Sequence, residues 1–528
     1  MKYNKYSYLT VLILLSISLF VACKKDSSAP EQPPVTASAS REELTKDSIF
    51  LYTKELYYWN TSLPTYDIFK PRSFSSKEAE LYALTQYSSD PATGKPYEFV
   101  NGSSNPKYSF FEDVSATGKV SALKADVSGT ANDYGFSLSY QSINDLRVKY
   151  VYPNSPASLQ GLTRGCKITS INGRTNLSYS NAIISFLNDA IFGTNPTIAL
   201  TFVGMDNVTR TVTVASATYT ENPILFTNVY TVGAKKVGYL VFNSFTSNIT
   251  PALRNVFANF ATQGVTELIV DLRYNGGGFV STATDMINLA APINQNGNVM
   301  YTTQYNSLLQ GLTTAQRKAS VLSHQPLLDG DNKLQTFTTG VNGKFATYAD
   351  IDYSATSTDN IERFAKSGSL ALSRIYFIVT ESTASASELV INSLKPVTDV
   401  KIIGETTYGK PVGFFPIRID KVDMYVPEFE TRNQAGVGGY YAGLSVDKQA
   451  FEDLTKAWGD ETETLLSYAL LYARTGSFVT SAAKSASLKA SSTVMPERLS
   501  LTERRKLTLS LDQNSYHDML LKPTKKFK

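Results

Sequence analysis

The sequence predicts a multi-domain α+β protein: a small helical N-terminal domain, then a β-module, then an α/β core. Three observations carry this. The chain has 528 residues, more than one hydrophobic core usually organises. Between about residues 119 and 218 the apolar residues fall into short runs closed by turn residues, the pattern of strands. From about residue 219 strand-like and helix-like segments alternate, which is the arithmetic of a sheet covered by helices.

Residues 1–22 read as a signal peptide. Lys2 and Lys5 precede an apolar stretch over residues 8–22 that is short for a membrane span and matches a secretory h-region. Phe20-Val21-Ala22-Cys23 resembles a bacterial lipobox, with Phe20 where Leu is usual. That resemblance implies lipidation at Cys23 and a protein held on a membrane of the cell envelope, at a periplasmic or surface face. Residues 23–40 are rich in Ser, Pro and Ala and read as a flexible tether. The only other cysteine, Cys166, lies in an apolar, strand-like context and reads as a small core residue.

Residues 41–118 form the expected helical domain. Leu44, Ile49, Leu51, Tyr52, Leu56 and Tyr57 recur at helical spacing, predicting an amphipathic helix over 41–59. In the β-module, residues 119–218, strands are expected over 146–151, 167–171, 198–202 and 209–214, with a helix over 181–188. The segments Tyr134-Gly135-Phe136-Ser137, Pro156-Ala157 with Gly161-Leu162, and Ile168 through Gly173 resemble a PDZ domain, with Cys166 where Asp is usual. The resemblance implies substrate binding at Tyr134, Gly135, Phe136 and Ser137: loop N–H groups hold a peptide's terminal carboxylate and the peptide adds as a strand.

The core, residues 219–478, predicts strands over 237–242, 268–272 and 375–379, and helices over 251–263, 281–290 and 465–473. Residues 295–370 are polar and read as an insertion or lid. Residues 479–528 read as a basic, disordered tail. Ten Lys/Arg and four Asp/Glu fall within 481–528, leaving 40 basic and 42 acidic groups elsewhere, so the body carries no nucleic-acid stripe.

The chemistry concentrates in three segments. Thr383-Ala384-Ser385-Ala386-Ser387-Glu388 lies between a buried strand and a helix start. Ser385 with Glu388 is also a capping box, and on this segment alone an ordinary cap is the simplest reading. A serine there can instead be exposed and reactive, beside the free N–H groups of a helix's first turn. Asp271-Leu272-Arg273-Tyr274-Asn275-Gly276-Gly277-Gly278 follows a second buried strand, where ligands of open α/β sheets bind. Gly404-Glu405-Thr406-Thr407-Tyr408-Gly409-Lys410 is the third. Only two histidines exist, His324 and His517, and neither has a motif around it. A histidine-based zinc site or a Ser-His-Asp triad is therefore disfavoured, and no cofactor is expected.

In order and spacing the three segments resemble the C-terminal processing, or tail-specific, peptidases: serine peptidases with a PDZ domain and a core related to Clp protease and crotonase enzymes. The resemblance implies Ser385 as nucleophile, Lys410 as general base, and the N–H groups of Gly277 or Gly278 and of Ala386 as the oxyanion hole. Protein or peptide chains with free C-termini would be the substrates. A lysine base must act uncharged. Lowering it from 10.4 to about 7–8 asks for roughly 3–5 kcal/mol of preference for the neutral form, which burial can supply. Tyr408, Val412, Phe414 and Phe415 are candidates for that pocket. Many family members carry a lysine-orienting Gln four residues on, where this chain has Phe414. Glu405 and Tyr408 are nearby alternatives for the role. Phe414 also keeps open a non-catalytic, peptide-binding lipoprotein on the same scaffold.

Overall fold

A computed structural model describes residues 39–114, 129–328, 334–336, 345–479 and 519–520. The expected signal segment, Cys23, nearly all of the expected tether and most of residues 479–528 lie outside the described residues. Among the described residues no helix is long and apolar enough to cross a membrane.

The chain is mixed α+β with several sheets. The helix Arg41–Leu56 starts at Ser40, whose side chain and Glu43 cap each other's amides. Its Ile49, Phe50 and Leu56 enter the same hydrophobic cluster as Leu253, Phe257 and Phe415 of the core. Next comes a five-stranded antiparallel sheet, in the order Phe136–Ser142, Asp145–Val151, Lys167–Ile171, Thr197–Val203, Thr209–Ala215. The helix Asn181–Phe192 packs on it through Ile183, Leu187 and Ile191, closing a separate core that includes buried Cys166.

The large sheet has six strands. They are β1 Ile224–Val232, β2 Lys235–Phe242, β3 Glu267–Asp271, β4 Arg374–Val379, β5 Asp399–Gly404 and β6 Lys448–Gln449, in the order β6-β5-β4-β3-β2-β1. All neighbours are parallel except β1 and β2, which form a hairpin. Successive side chains of a strand face opposite ways. Leu268 and Val270 therefore join one core with α1 Thr250–Thr262, α2 Val280–Ala290 and α3 Ala386–Leu394. Ile269 joins the other, with α4 Thr464–Thr475. A sheet covered on both faces needs unbroken apolar strands, which is why β3 and β4 are continuous hydrophobic runs. Within residues 295–370 the strand Val299–Tyr305 pairs antiparallel with Phe429–Asn433, and that strand pairs with Val412–Gly413.

Strands β3 and β4 are in register from Glu267↔Arg374 to Asp271↔Ile378. Their carboxyl ends thus emerge side by side, bringing the glycine-rich turn and the Ser385 turn together.

Candidate active site

The turn between β4 and α3 is fastened to the turn after β3. Thr383 Oγ1 donates to Leu272 O at 2.7 Å, Ala384 N to Asn275 O at 3.1 Å, and Ser387 Oγ to the same Asn275 O at 3.0 Å. These bonds hold Ser385 at φ 62°, ψ −114°, a conformation that costs a non-glycine residue about 1–3 kcal/mol and persists only when its surroundings impose it. Ser385 is the N-cap residue of α3 and Glu388 faces it as in a capping box, yet the serine side chain makes no cap hydrogen bond. Its Oγ is buried without a hydrogen-bond partner among the described residues. The Glu388 half of the expected capping box is made, but the serine half is not, and a hydroxyl left bare at a strained, buried turn is destabilising on both counts.

Glu388 is the organiser. Its Oε2 accepts from Ser385 N at 2.9 Å and from Lys410 N at 2.8 Å. Its Oε1 accepts from Gly409 N at 2.8 Å and from Thr407 Oγ1. Burial pushes its carboxyl pKa up, and the four donors, led by Thr407, pull it back. The Ser385 and Lys410 amides are therefore no further apart than two hydrogen bonds through one oxygen. Gly409 permits the approach: at φ 84°, a Cβ there would lie 2.4 Å from Tyr441 O.

Lys410 is 1% exposed, and its Nζ sits 4.0 Å from the centre of the Phe414 ring. Val412 and Phe414 share an apolar cluster with Tyr108 and Tyr425, and Tyr408 packs against it. Phe415 belongs to the main core. Of the orienting alternatives, Tyr408 turns its hydroxyl away to Lys107 O at 2.9 Å, and Glu405 is half-buried. Sequence reasoning missed Glu428. It is fully buried, accepts from Phe415 N at 3.1 Å, and lies close enough to Lys410 to feel its charge. Burial raises its pKa well above the carboxylate range, and backbone amides, that of Phe415 first, together with the Lys410 charge, pull it partly back. Lys107 was missed too. Its amine donates to Gly409 O and Tyr441 O at 3.3 and 3.1 Å, and burial lowers its pKa to about 8. Neither residue sits in a motif, so no sequence signal marks them.

On the facing turn, Arg273 is buried and bonded to Asp271 and Glu463, which anchors the glycine-rich segment. Asn275 Nδ2 donates to Phe242 O at 3.1 Å, and its Oδ1 accepts Gly277 N at 2.9 Å. The Gly277 N–H is thus already engaged, unlike the free donor expected from sequence. The remaining candidates are Gly278, which lies in the short strand Gly278–Phe279 paired with Met519–Leu520, and Ala386. Gly278 has φ 134°, and a Cβ there would lie 2.4 Å from Phe245 O. Ala386 is the first residue of α3, whose N–H has no acceptor within the helix.

In the β-module, Gly135 has φ 81°, but its N–H donates to Asp133 Oδ1 at 2.7 Å, so it does not stand free for a carboxylate. Tyr134 is buried and its hydroxyl donates to Asn195 O at 2.7 Å. Phe136 and Ser137 begin the edge strand of the five-stranded sheet, paired with Val151 and Tyr150. The module is locked to the glycine-rich turn. Arg164 Nη1 donates to Tyr274 OH at 2.7 Å, Nη2 donates to Glu452 at 2.9 Å, and the guanidinium stacks 4.2 Å over Trp458.

Residues 236–436 match the profile of peptidase family S41. The chain is similar to the chloroplastic C-terminal processing peptidase of Tetradesmus obliquus, 24% identical over 347 residues that cover 63% of this chain and 62% of that protein. It is also similar to the carboxyl-terminal-processing protease of a Picosynechococcus species, 21% identical over 292 residues, 55% of this chain and 56% of that one. The matched region thus spans roughly three-fifths of the length of these curated relatives. A Bacteroides fragilis structure described as an S41 protease shares the fold, with a TM-score of 0.53 and 21% identity over 84% of this chain and 99% of that one.

Proposed function

We propose that this chain, whose residues 236–436 match peptidase family S41, is a serine-type peptidase of that family: a membrane-tethered endopeptidase acting on protein substrates near their C-termini. The observation that carries the reading is the bare, buried Ser385 Oγ on a strained turn whose amide shares Glu388 with Lys410. In this reading unprotonated Lys410 takes the Ser385 proton, and Oγ attacks the scissile carbonyl. The N–H groups of Gly278 and Ala386 hold the oxyanion. Lys410 then protonates the leaving amine; water attacks the acyl-enzyme as the Lys410 amine takes its proton, and that proton passes to Ser385 Oγ as the acyl group departs.

The β-module serves as a PDZ-like recognition domain. What supports this is the open edge of the strand Phe136–Ser142, to which a peptide can add its backbone. A lipidated Cys23 holds the protein in the bacterial cell envelope. Exchange of Cys23 for Ser moves the protein from the membrane fraction to the soluble fraction; unchanged partitioning refutes the anchor.

One observation favours the non-catalytic alternative. The Phe414 ring lies 4.0 Å from Lys410 Nζ, and a ring face stabilises the charged amine. Against it stands the cost of the serine turn: a strained, buried Ser385 whose bare hydroxyl shares Glu388 with the Lys410 segment has no use in a mere scaffold. The test is cleavage of an unfolded protein by wild type, Ser385→Ala and Lys410→Ala. Each variant loses at least about 10³-fold in kcat/KM. A Ser385→Ala protein that cleaves at the wild-type rate ends the reading.

A further inference from the structure

The proposed cleft is bordered by this chain's own C-terminal segment. Met519–Leu520 forms a short strand parallel to Gly278–Phe279, paired Gly278↔Met519 and Phe279↔Leu520. It also lies beside Val412–Gly413, which follows Lys410 by two residues. The segment therefore touches both stretches of backbone that carry the site. On its other side Gly278 bridges Phe245, and Phe279 N donates to Phe245 O at 2.8 Å. An extended peptide that adds its backbone to Gly278–Phe279 must use the edge that Met519–Leu520 occupies.

We propose that the strand Met519–Leu520 is an intramolecular ligand of this site, one that a substrate strand must displace. Residues 480–518 join it to the end of the core. Fully extended they reach up to about 130 Å, so connection in cis is not limited by length. Covalent connection in cis gives the segment a high effective concentration at the site, and a weak two-residue pairing can then be well populated. Charge favours the same partner. The tail carries ten basic and four acidic residues, the rest of the chain 40 and 42, so the tail is attracted to its own body or is at worst indifferent to it. The contact stands on the strand pairing alone; its consequence for activity rests on the reading of Ser385 as nucleophile.

The test uses the full-length chain and a Met519→Pro/Leu520→Pro double variant, which lacks the backbone N–H groups needed to hold the pairing. Hydrogen–deuterium exchange over residues 276–280 reads occupancy without reference to catalysis. Exchange in the variant should be about tenfold faster, as expected on losing a partner present about 90% of the time. Equal exchange in the two chains overturns the proposal. Protection that persists on dilution supports binding in cis, and protection that disappears on dilution overturns it in favour of a second copy's tail. A fluorophosphonate probe supplies the second readout, labelling Ser385 faster in the variant. Clear labelling at equal rates overturns the blocking role. No labelling of either chain, with the exchange difference intact, overturns the nucleophile reading while leaving the tail contact standing.

Discussion

Ser385 and Lys410 lie 25 residues apart in the chain, yet their amides donate to one oxygen, Glu388 Oε2, at 2.9 and 2.8 Å. That shared acceptor couples the turn carrying the hydroxyl to the loop carrying the amine. A carboxylate suits the place because both its oxygens meet only donors: two amides on one, an amide and the Thr407 hydroxyl on the other.

Glu388→Gln should therefore be damaging despite its near-identical shape. Whichever way the amide turns, its NH₂ faces groups that can only donate or already do so. Unfolding free energy should fall by about 2–4 kcal/mol, and kcat/KM should fall about 10²-fold or more as the two segments lose register. Denaturant titration and peptide-cleavage kinetics check this. Wild-type values for both would show that the carboxylate does not organise the site.

Ser385→Gly should separate stability from activity. Glycine adopts φ 62° freely and removes a buried hydroxyl that lacks a partner. Against these gains stands the greater unfolded-state entropy of glycine, at most about 1 kcal/mol. A net stabilisation of about 1 kcal/mol is expected together with complete loss of cleavage. Thermal unfolding decides it, and a destabilised variant would mean that the turn is not strained.

Arg164→Ala should loosen the β-module from the glycine-rich turn. Arg164 is buried and bonded to Tyr274, Glu452 and the Lys149 and Lys456 carbonyls. Removing it strands the buried Lys149 and Lys456 carbonyls and leaves Glu452 to Tyr274 and Arg273 alone, at a cost of about 2–4 kcal/mol. Arg164→Lys should recover little, because a lysine cannot supply the planar fork of donors. Urea unfolding of both variants measures the effect.

Lys107 sets a pH dependence of stability with an unusual sign. Burial lowers its folded pKa to about 8, below the ordinary 10.5. Between those values the unfolded chain binds more protons than the folded one, so this group's contribution to stability increases as pH rises from about 8 to 10.5. The whole window is worth no more than about 3 kcal/mol. Denaturation midpoints for wild type and Lys107→Met, measured across that range, should show the wild type gaining on the variant. A difference that stays constant with pH would place the amine in contact with water.

The regular elements of the core were legible because burial on both faces writes them as apolar runs. The expected strand over 375–379 is β4, Arg374–Val379, and the expected helix over 281–290 is α2, Val280–Ala290. Strand β1 was not legible. It pairs on one side only, and its residues are mostly half-buried or exposed, so no clear alternation marks it. Val299–Tyr305 hid within a polar stretch because its partner, Phe429–Asn433, lies far along the chain.

The sequence by itself determined the chemistry on offer: a small-residue turn before a helix, a glycine run after a buried strand, one conspicuous lysine, and almost no histidine. These are local properties, fixed by residue type and spacing. Only the tertiary structure decided which groups are engaged. Asn275 takes the Gly277 N–H, Asp133 takes the Gly135 N–H, and Glu428 comes to lie near Lys410. Hydrogen-bond satisfaction and charge burial depend on what folding brings within about 3 Å, a distance unrelated to separation along the chain.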